Sequence, residues 1–385
     1  MKYLFGVFYS LLCIFYAVLL HAAPSMGLWV ECQGSEATLD SKKAIDEMLE
    51  DAVQMHIDTL FIQLHRGNRA WFDSSLADST PYKAFFEKEK TDLVTYILNN
   101  AKQRGMQVHL WVNTFRLLKN KDAKIIQEFG TKIITRDGKK RLMLDYPNED
   151  LPDGGYWLDA GDIQVQEYLR NLFLEALEKY PQCDGLHLDF VRYPYRVPFY
   201  PGSQWAAGHG FGYGVDSVNR FKKKTGLDPF TMELTRENAE LWDNWRRDQV
   251  TQFVRSINTL CKERGKMLSV AGICWADRAY LSAFQDWRGW LEEGIVDFVA
   301  TMNYGTDQKF ARYLSREAIV SRGEKRVFVG LGAYLLKEKP DVLAGQIDDA
   351  VRLGADGLII FSYDAVKKSP ALKNVIKDRF NRYKQ

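Results

Sequence analysis

Cysteine is scarce in this chain. Five occur in 385 residues (Cys13, Cys32, Cys183, Cys261 and Cys274), with no Cys-x-x-Cys pair and no Cys/His spacing that holds zinc. A disulfide scaffold packs its thiols far more densely, so the last four read as buried free thiols. The six histidines are scattered and none forms His-Glu-x-x-His, so no catalytic metal is expected. Charge of one sign is lacking too. The 52 basic and 50 acidic side chains leave a net +2, which removes the electrostatic case for nucleic acid or an anionic membrane as partner. No Gly-x-Gly-x-x-Gly turn follows the first strand-like segment, and no phosphate loop or Gly-x-Ser-x-Gly elbow appears. Nucleotide cofactors and serine-hydrolase chemistry drop out, and no organic cofactor is implied.

Long apolar runs are lacking except for one. Lys2 precedes an apolar stretch from Tyr3 to Leu20, followed by His21-Ala22-Ala23-Pro24. A positive start, an apolar segment and small residues at its exit read as a secretory signal peptide over residues 1–23, cleaved after Ala22 or Ala23. The rival is a retained anchor, because the run approaches spanning length. No cysteine follows in the setting a lipoprotein needs. The expectation is a secreted or periplasmic protein of one domain over residues 24–385, with no membrane span once the leader is removed.

What is present is alternation. Strand-like segments at 27–32, 59–65, 107–113, 185–190, 267–274, 296–304, 327–334 and 357–363 are each followed by a helical pattern. The helices read at 41–55, 91–104, 162–180, 236–264, 280–293, 310–321, 340–353 and from Ser369. Eight such units predict an α/β protein built as a closed parallel (β/α)8 TIM barrel; an open doubly wound sheet is the alternative. Long loops follow strands three (Thr114 to Gly161) and four (Val191 to Thr235). The second is rich in glycine (Gly202, Gly208, Gly210, Gly212, Gly214) and aromatics (Trp205, Phe211, Tyr213). It reads either as a clamp on an elongated ligand or as a surface excursion.

In such a barrel, chemistry gathers at the C-terminal strand tips. The run from Asp184 to Pro194 alternates Leu186, Leu188 and Phe190 with His187 and Asp189, which puts Asp189 at a strand end. The other tips offer Glu31, Gln63, His65, Trp111, Asn113, Trp275, Asp277, Asn303, Tyr304, Tyr334, Tyr363 and Asp364. Acids and amides bind hydroxyls bidentately, and Trp and Tyr stack on the C–H face of a sugar ring, so the mixture suits a carbohydrate.

Several stretches, in order, carry a resemblance. They are Gly27-Leu28-Trp29-Val30, Val108 to Asn113, Trp157-Leu158-Asp159-Ala160-Gly161, Asp184 to Pro194, Trp245 to Val250, and Asp286 to Tyr304. From about Gly27 to Asp364 the chain resembles the glycosyl hydrolase-like family 10 barrels, formerly a domain of unknown function, with members that act on peptidoglycan glycan strands in the bacterial envelope. Strand four is also similar to the chitinase pattern Asp-Gly-x-Asp-x-Asp-x-Glu. Asp184, Gly185 and Asp189 fit it, but Val191 replaces the proton-donating Glu.

The resemblance implies an exported glycoside hydrolase cleaving a polysaccharide or oligosaccharide, peptidoglycan glycan favoured, by carboxylate acid/base chemistry. Asp189 is the first candidate, its alternative being a structural acid paired with Arg192. Glu31, ahead of Asp364, is the candidate partner; either acid could instead bind hydroxyls or cap a helix. His187, Arg192, Tyr193, Trp111, Asn113, Trp275, Asn303 and Tyr304 are the candidate substrate ligands. For His187 the competing reading is a satisfied interior histidine, for Arg192 a structural salt bridge, and for the tryptophans core packing. Trp242, Trp245, Trp287 and Trp290 read as helix packing. Two other functions stay open: a noncatalytic carbohydrate-binding barrel, and a transglycosylase or lyase.

Overall fold

The structure, a computed structural model, describes residues 23–195 and 210–384. The leader reading and Gly202, Trp205, Gly208 and His209 lie outside them. Eight parallel strands form the barrel: β1 (Ser25–Val30), β2 (Thr59–Arg66), β3 (Gln107–Asn113), β4 (Gly185–Asp189), β5 (Met267–Ile273), β6 (Phe298–Asn303), β7 (Arg326–Gly332) and β8 (Gly357–Phe361). Each pairs with the next, and β8 returns to β1 with Ser25 opposite Gly357. The sheet is closed, which rules out the doubly wound alternative.

Helices α1 (Lys42–Gln54), α2 (Leu93–Gln103), α3 (Ile163–Lys179), α4 (Arg236–Lys262), α5 (Trp287–Glu292), α6 (Gln308–Val320), α7 (Pro340–Arg352) and α8 (Pro370–Lys384) surround it. Their starts follow from short polar caps. Ser41 accepts from the Ala44 amide, Asp92 from Thr95, and Asp307 from Phe310. The helix expected over 280–293 is two pieces, Ala276–Ser282 and α5. Phe284 turns left-handed between them (φ 53°), and the Gln285 side chain bonds to the Ile273 amide and the Ala271 carbonyl. Tertiary hydrogen bonds override the helical periodicity there. Cys32, Cys183 and Cys261 are buried free thiols, and Cys274 is partly buried. Among the described residues, no helix is long and apolar enough to cross a membrane.

Four carboxylates stitch the bottom of the barrel. Asp58, Asp184, Asp297 and Asp356 directly precede or lead into β2, β4, β6 and β8. They accept the amides of Met26, Val108, Leu268 and Val327 at 3.0, 2.7, 2.7 and 2.9 Å. Each aspartate amide donates back to the carbonyl of the same residue, at 2.9, 2.9, 2.8 and 3.1 Å. Asp184 is therefore a structural clamp at the opposite end of β4 from Asp189, although a motif overlay groups the two.

The inner face of the barrel is aromatic: Trp29, Phe61, Trp111, Phe298 and Phe328 pack with Ile359. A bulge in β2 interrupts the alternation. Gln63 stands opposite Trp111 but His65 stands opposite Val112, so His65 turns outward toward Phe173 of α3. The two long excursions meet at Asp159, which accepts the Gly161 and Gly214 amides, both at 2.9 Å. Gly214 is obligatory, since a Cβ there would lie 2.4 Å from the Asp159 Cγ. Burial pushes the Asp159 carboxyl up to about 6.

Truncating a clamp tests the stitching. In Asp184→Ala the buried Val108 amide loses its acceptor, at a cost of about 2 kcal/mol. The expected outcome is a lower urea midpoint with an unchanged m-value, measured by equilibrium unfolding.

Candidate active site

Two cavities that share Glu31 and Phe361 open at the C-terminal strand tips: one of about 260 Å³ reaches Tyr334 and Asp364, and the other, of about 160 Å³, holds Asp189. Trp29, Trp111 and Ala271 form its lower part; Glu31, Gln63, Asn113 and Asp189 ring it. Arg66, Arg116, Phe190, Met302, Tyr304 and Phe361 complete the wall. Cavities that swallow a whole ligand run to roughly 300–1,000 Å³, so a chain of sugars has to lie across this mouth rather than inside it. A larger crevice of about 1100 Å³ lies at the opposite end, but its acids Asp58 and Asp356 are already engaged as strand clamps. The smaller cavity holds the chemistry.

Asp189 is almost fully buried. Its Oδ2 accepts Trp111 Nε1–H at 3.2 Å, and its Oδ1 accepts the Phe190 amide at 2.7 Å. That second bond depends on Phe190, whose left-handed backbone (φ 52°) folds the amide back onto the preceding side chain. Burial raises the Asp189 carboxyl above the usual range; the Phe190 amide, Arg192, Trp111 and Arg116 pull against it. Glu31 is more open. It accepts Ser362 Oγ–H at 2.9 Å and faces Arg66 Nη1 at 3.5 Å. Its carboxyl is also raised, first by burial. Tyr304 stacks on Phe361 at 5.2 Å, and burial together with Asp189 holds its hydroxyl protonated.

The floor beneath is a hydrogen-bonded relay. Trp29 Nε1–H donates to His187 Nε2 at 3.2 Å, so the histidine proton sits on Nδ1 and points at Ser269 Oγ, 2.9 Å away. Ser269 Oγ lies 3.5 Å from the Leu186 carbonyl. His187 is fully buried below the cavity, which is the interior reading rather than the ligand one.

Other candidates lie outside this cavity, although Asp364 and Tyr334 line the adjoining one with Glu31. Asp364 accepts the Glu36 amide and Ser35 Oγ–H at 2.9 and 3.2 Å, anchoring the chain after β1. Asn303 faces outward because Met302 and Tyr304 take the inward positions; it donates to the Ala311 carbonyl and Ser315. Arg192 pairs with Asp153 at 3.1 Å and lies over Trp157. Tyr193 is buried edge-on against Phe284. Tyr363 bonds to Asp51 outside the barrel, and Asp277 pairs with Arg288 on the surface. Trp275 stands on the rim, 45% exposed, with Arg278 over its ring. Tyr334 is similarly exposed and meets Tyr304 and Phe361 edge-on. Arg66 and Arg116 were not anticipated. Both lie within three residues of a strand end, as Arg192 does, and that proximity was the available signal. Among the described residues, no cluster of His, Cys, Asp and Glu is arranged to hold a metal ion.

Asp189 and Glu31 line one cavity under aromatic walls at the tips of a (β/α)8 barrel, an arrangement that suits a glycoside hydrolase. The chain belongs to the Glycosyl hydrolase-like 10 family, whose model matches residues 25–334, and it is a glycoside hydrolase by that membership. Glycosyl hydrolase DigH of Escherichia coli K12 is 23% identical over 331 residues, 79% of this chain and 68% of DigH. Glycosyl hydrolase YngK of Bacillus subtilis 168 is 22% identical over 293 residues; the match covers 69% of this chain and 49% of YngK. In fold, the PgaB (BpsB) glycoside hydrolase domain of Bordetella bronchiseptica aligns with a TM-score of 0.62 at 11% identity, over 92% of this chain and 99% of that domain. The catalytic domain of β-amylase from Paenibacillus polymyxa gives 0.59 at 13% identity, over 93% and 99%.

Three buried histidines set an acid limit. Burial lowers His65 to about 4, His109 to about 3, and His187 well below its usual value. Each is neutral when folded but takes a proton when unfolded. Their stabilisation is therefore complete above the free value of 6.5 and is lost as pH falls below it. For His65 the loss between pH 6.5 and 4 is roughly 3 kcal/mol. His109→Phe isolates one group: its Tm, followed by calorimetry, is expected to fall less steeply than wild type below pH 6.5. Parallel curves mean that His109 takes up its proton in the folded chain as readily as in the unfolded one.

Proposed function

We propose that this chain is exported and hydrolyses O-glycosidic bonds of an extended polysaccharide, with peptidoglycan glycan strands the favoured substrate. The observation that carries the mechanism is the presence of Asp189 and Glu31 in one cavity, both with raised carboxyl pKa values and in different surroundings. The apolar leader with Ala22-Ala23 at its exit supports export, and membership of the family supports a glycan substrate.

The two environments divide the labour. Asp189 receives two N–H donors, which favour its carboxylate; it serves as the anion facing the anomeric carbon, as nucleophile or as base for water. Glu31 has a longer stem at the more open wall, where its two donors are the Ser362 hydroxyl and, at 3.5 Å, the Arg66 guanidinium. It carries the proton that passes to the leaving oxygen as the C–O bond breaks. Trp275 and Tyr334 on the rim extend the surface for neighbouring sugar rings.

Release of reducing ends from peptide-free glycan strands tests this, with product mass separating hydrolysis, which adds water, from transglycosylation or elimination. Asp189→Asn is expected to lose about 10³-fold or more in kcat. Glu31→Gln is expected to lose a similar factor on natural linkages but much less on aryl glycosides, whose leaving group needs no proton. A folded Asp189→Asn variant with full turnover ends the mechanism.

A further inference from the structure

We propose that Arg116 makes this cavity selective for a sugar that carries a carboxylate. The inference rests on the glycosidase reading of the same cavity and adds the chemical class of its substrate.

Arg192 and Arg116 act on Asp189, Arg66 lines the same cavity, and the partners of the three guanidinium groups differ. Arg192 is paired with the Asp153 carboxylate at 3.1 Å, and Arg66 faces Glu31 at 3.5 Å. Arg116 donates only to the Asp153 carbonyl and lies over the Phe190 ring at 4.7 Å. Its buried Nε–H meets no acceptor, and among the described residues no carboxylate forms an ion pair with it. The group lines the cavity beside Asp189 and Phe190. Burial lowers its affinity for its own proton, and the nearby Asp153 and Asp189 carboxylates offset that only in part.

The charges lining the cavity point the same way. Glu31 and Asp189 face Arg66 and Arg116, and the set balances only while both acids are ionised. Once Glu31 holds the proton it is to donate, one positive charge is left over in a partly dehydrated space. A neutral sugar leaves that charge uncompensated. A carboxylate cancels it and matches the planar fork of a guanidinium, which can bind both oxygens. Arg66 also keeps a buried Nε–H without an acceptor, but its Nη1 already faces Glu31; Arg116 is the lining cation that meets no carboxylate at ion-pair distance among the described residues.

The test compares a muramic-acid-containing tetrasaccharide with the same sugar after its carboxyls are reduced to alcohols. Wild type is expected to favour the carboxylate form by about tenfold or more in kcat/KM, the scale of one charge-assisted pair. Arg116→Gln is expected to shrink that preference below about threefold, with Arg116→Lys, which keeps the charge but loses the fork, in between. Equal rates on the two sugars in wild type, or an undiminished preference in folded Arg116→Gln, overturn the inference and leave the glycosidase reading intact. If Arg116→Gln does not fold, the wild-type ratio and Arg116→Lys still decide. If neither sugar is cleaved, the glycosidase reading fails. Calorimetric binding of the same pair to the wild-type chain then decides selectivity: about tenfold tighter binding of the carboxylate form supports it, and equal or absent binding overturns it.

Discussion

Everything at the mouth of this barrel is held at its height by hydrogen bonds at the other end. Asp58, Asp184, Asp297 and Asp356 each exchange two bonds with one residue of the strand before them. Their carbonyls reach further round: the amides of Gln107, Met267 and Ser25 donate to Asp58, Asp184 and Asp356. Odd strands are thereby registered to even ones, four times around the circle. Residues on different strands then reach the mouth together, Glu31 beyond β1, Asn113 ending β3 and Asp189 ending β4. A carboxylate that accepts buried amides is worth most where water cannot replace it, and the strand starts provide that setting.

The same molecule accepts costs near its cavity that it avoids elsewhere. Phe190 adopts a backbone conformation unfavourable for a bulky residue, and its amide becomes a donor to Asp189. Two acids are kept partly out of water with raised proton affinity. Around them the loops are tied by buried cations on aromatic faces, such as Arg192 over Trp157 and Tyr195, and Arg246 over Phe284. These contacts join the excursions after β3 and β4 into a common wall, with Asp159 at the seam.

Periodicity made the barrel readable. A strand buried on both faces reads as a short, nearly continuous apolar run, and a polar residue at its end is visible against that run, as Asp189 and Glu31 are. What was hidden depended on details that no local pattern records. The bulge after Gln63 reverses His65 without any Gly or Pro to announce it. Asn303 and Tyr304 are neighbours in sequence and point to opposite sides of one strand, so a tip motif containing both could supply only one of them to the cavity. Asp364 and Asp189 look alike as strand-end acids; only the Ser35–Glu36 turn folded over Asp364 distinguishes them. Arg116 reaches the cavity through a short ribbon, Arg116–Leu118 against Tyr156–Trp157, whose partners lie some forty residues apart.

The relay under the cavity has a direction. From the Trp29 indole through His187 and Ser269 to a main-chain oxygen, every donor has its acceptor already assigned. Reversing it requires the indole to accept, which it cannot do. This relay is thus a protonic dead end. Whatever acid–base asymmetry the reaction draws on comes from groups placed laterally at the mouth rather than through the indole beneath it.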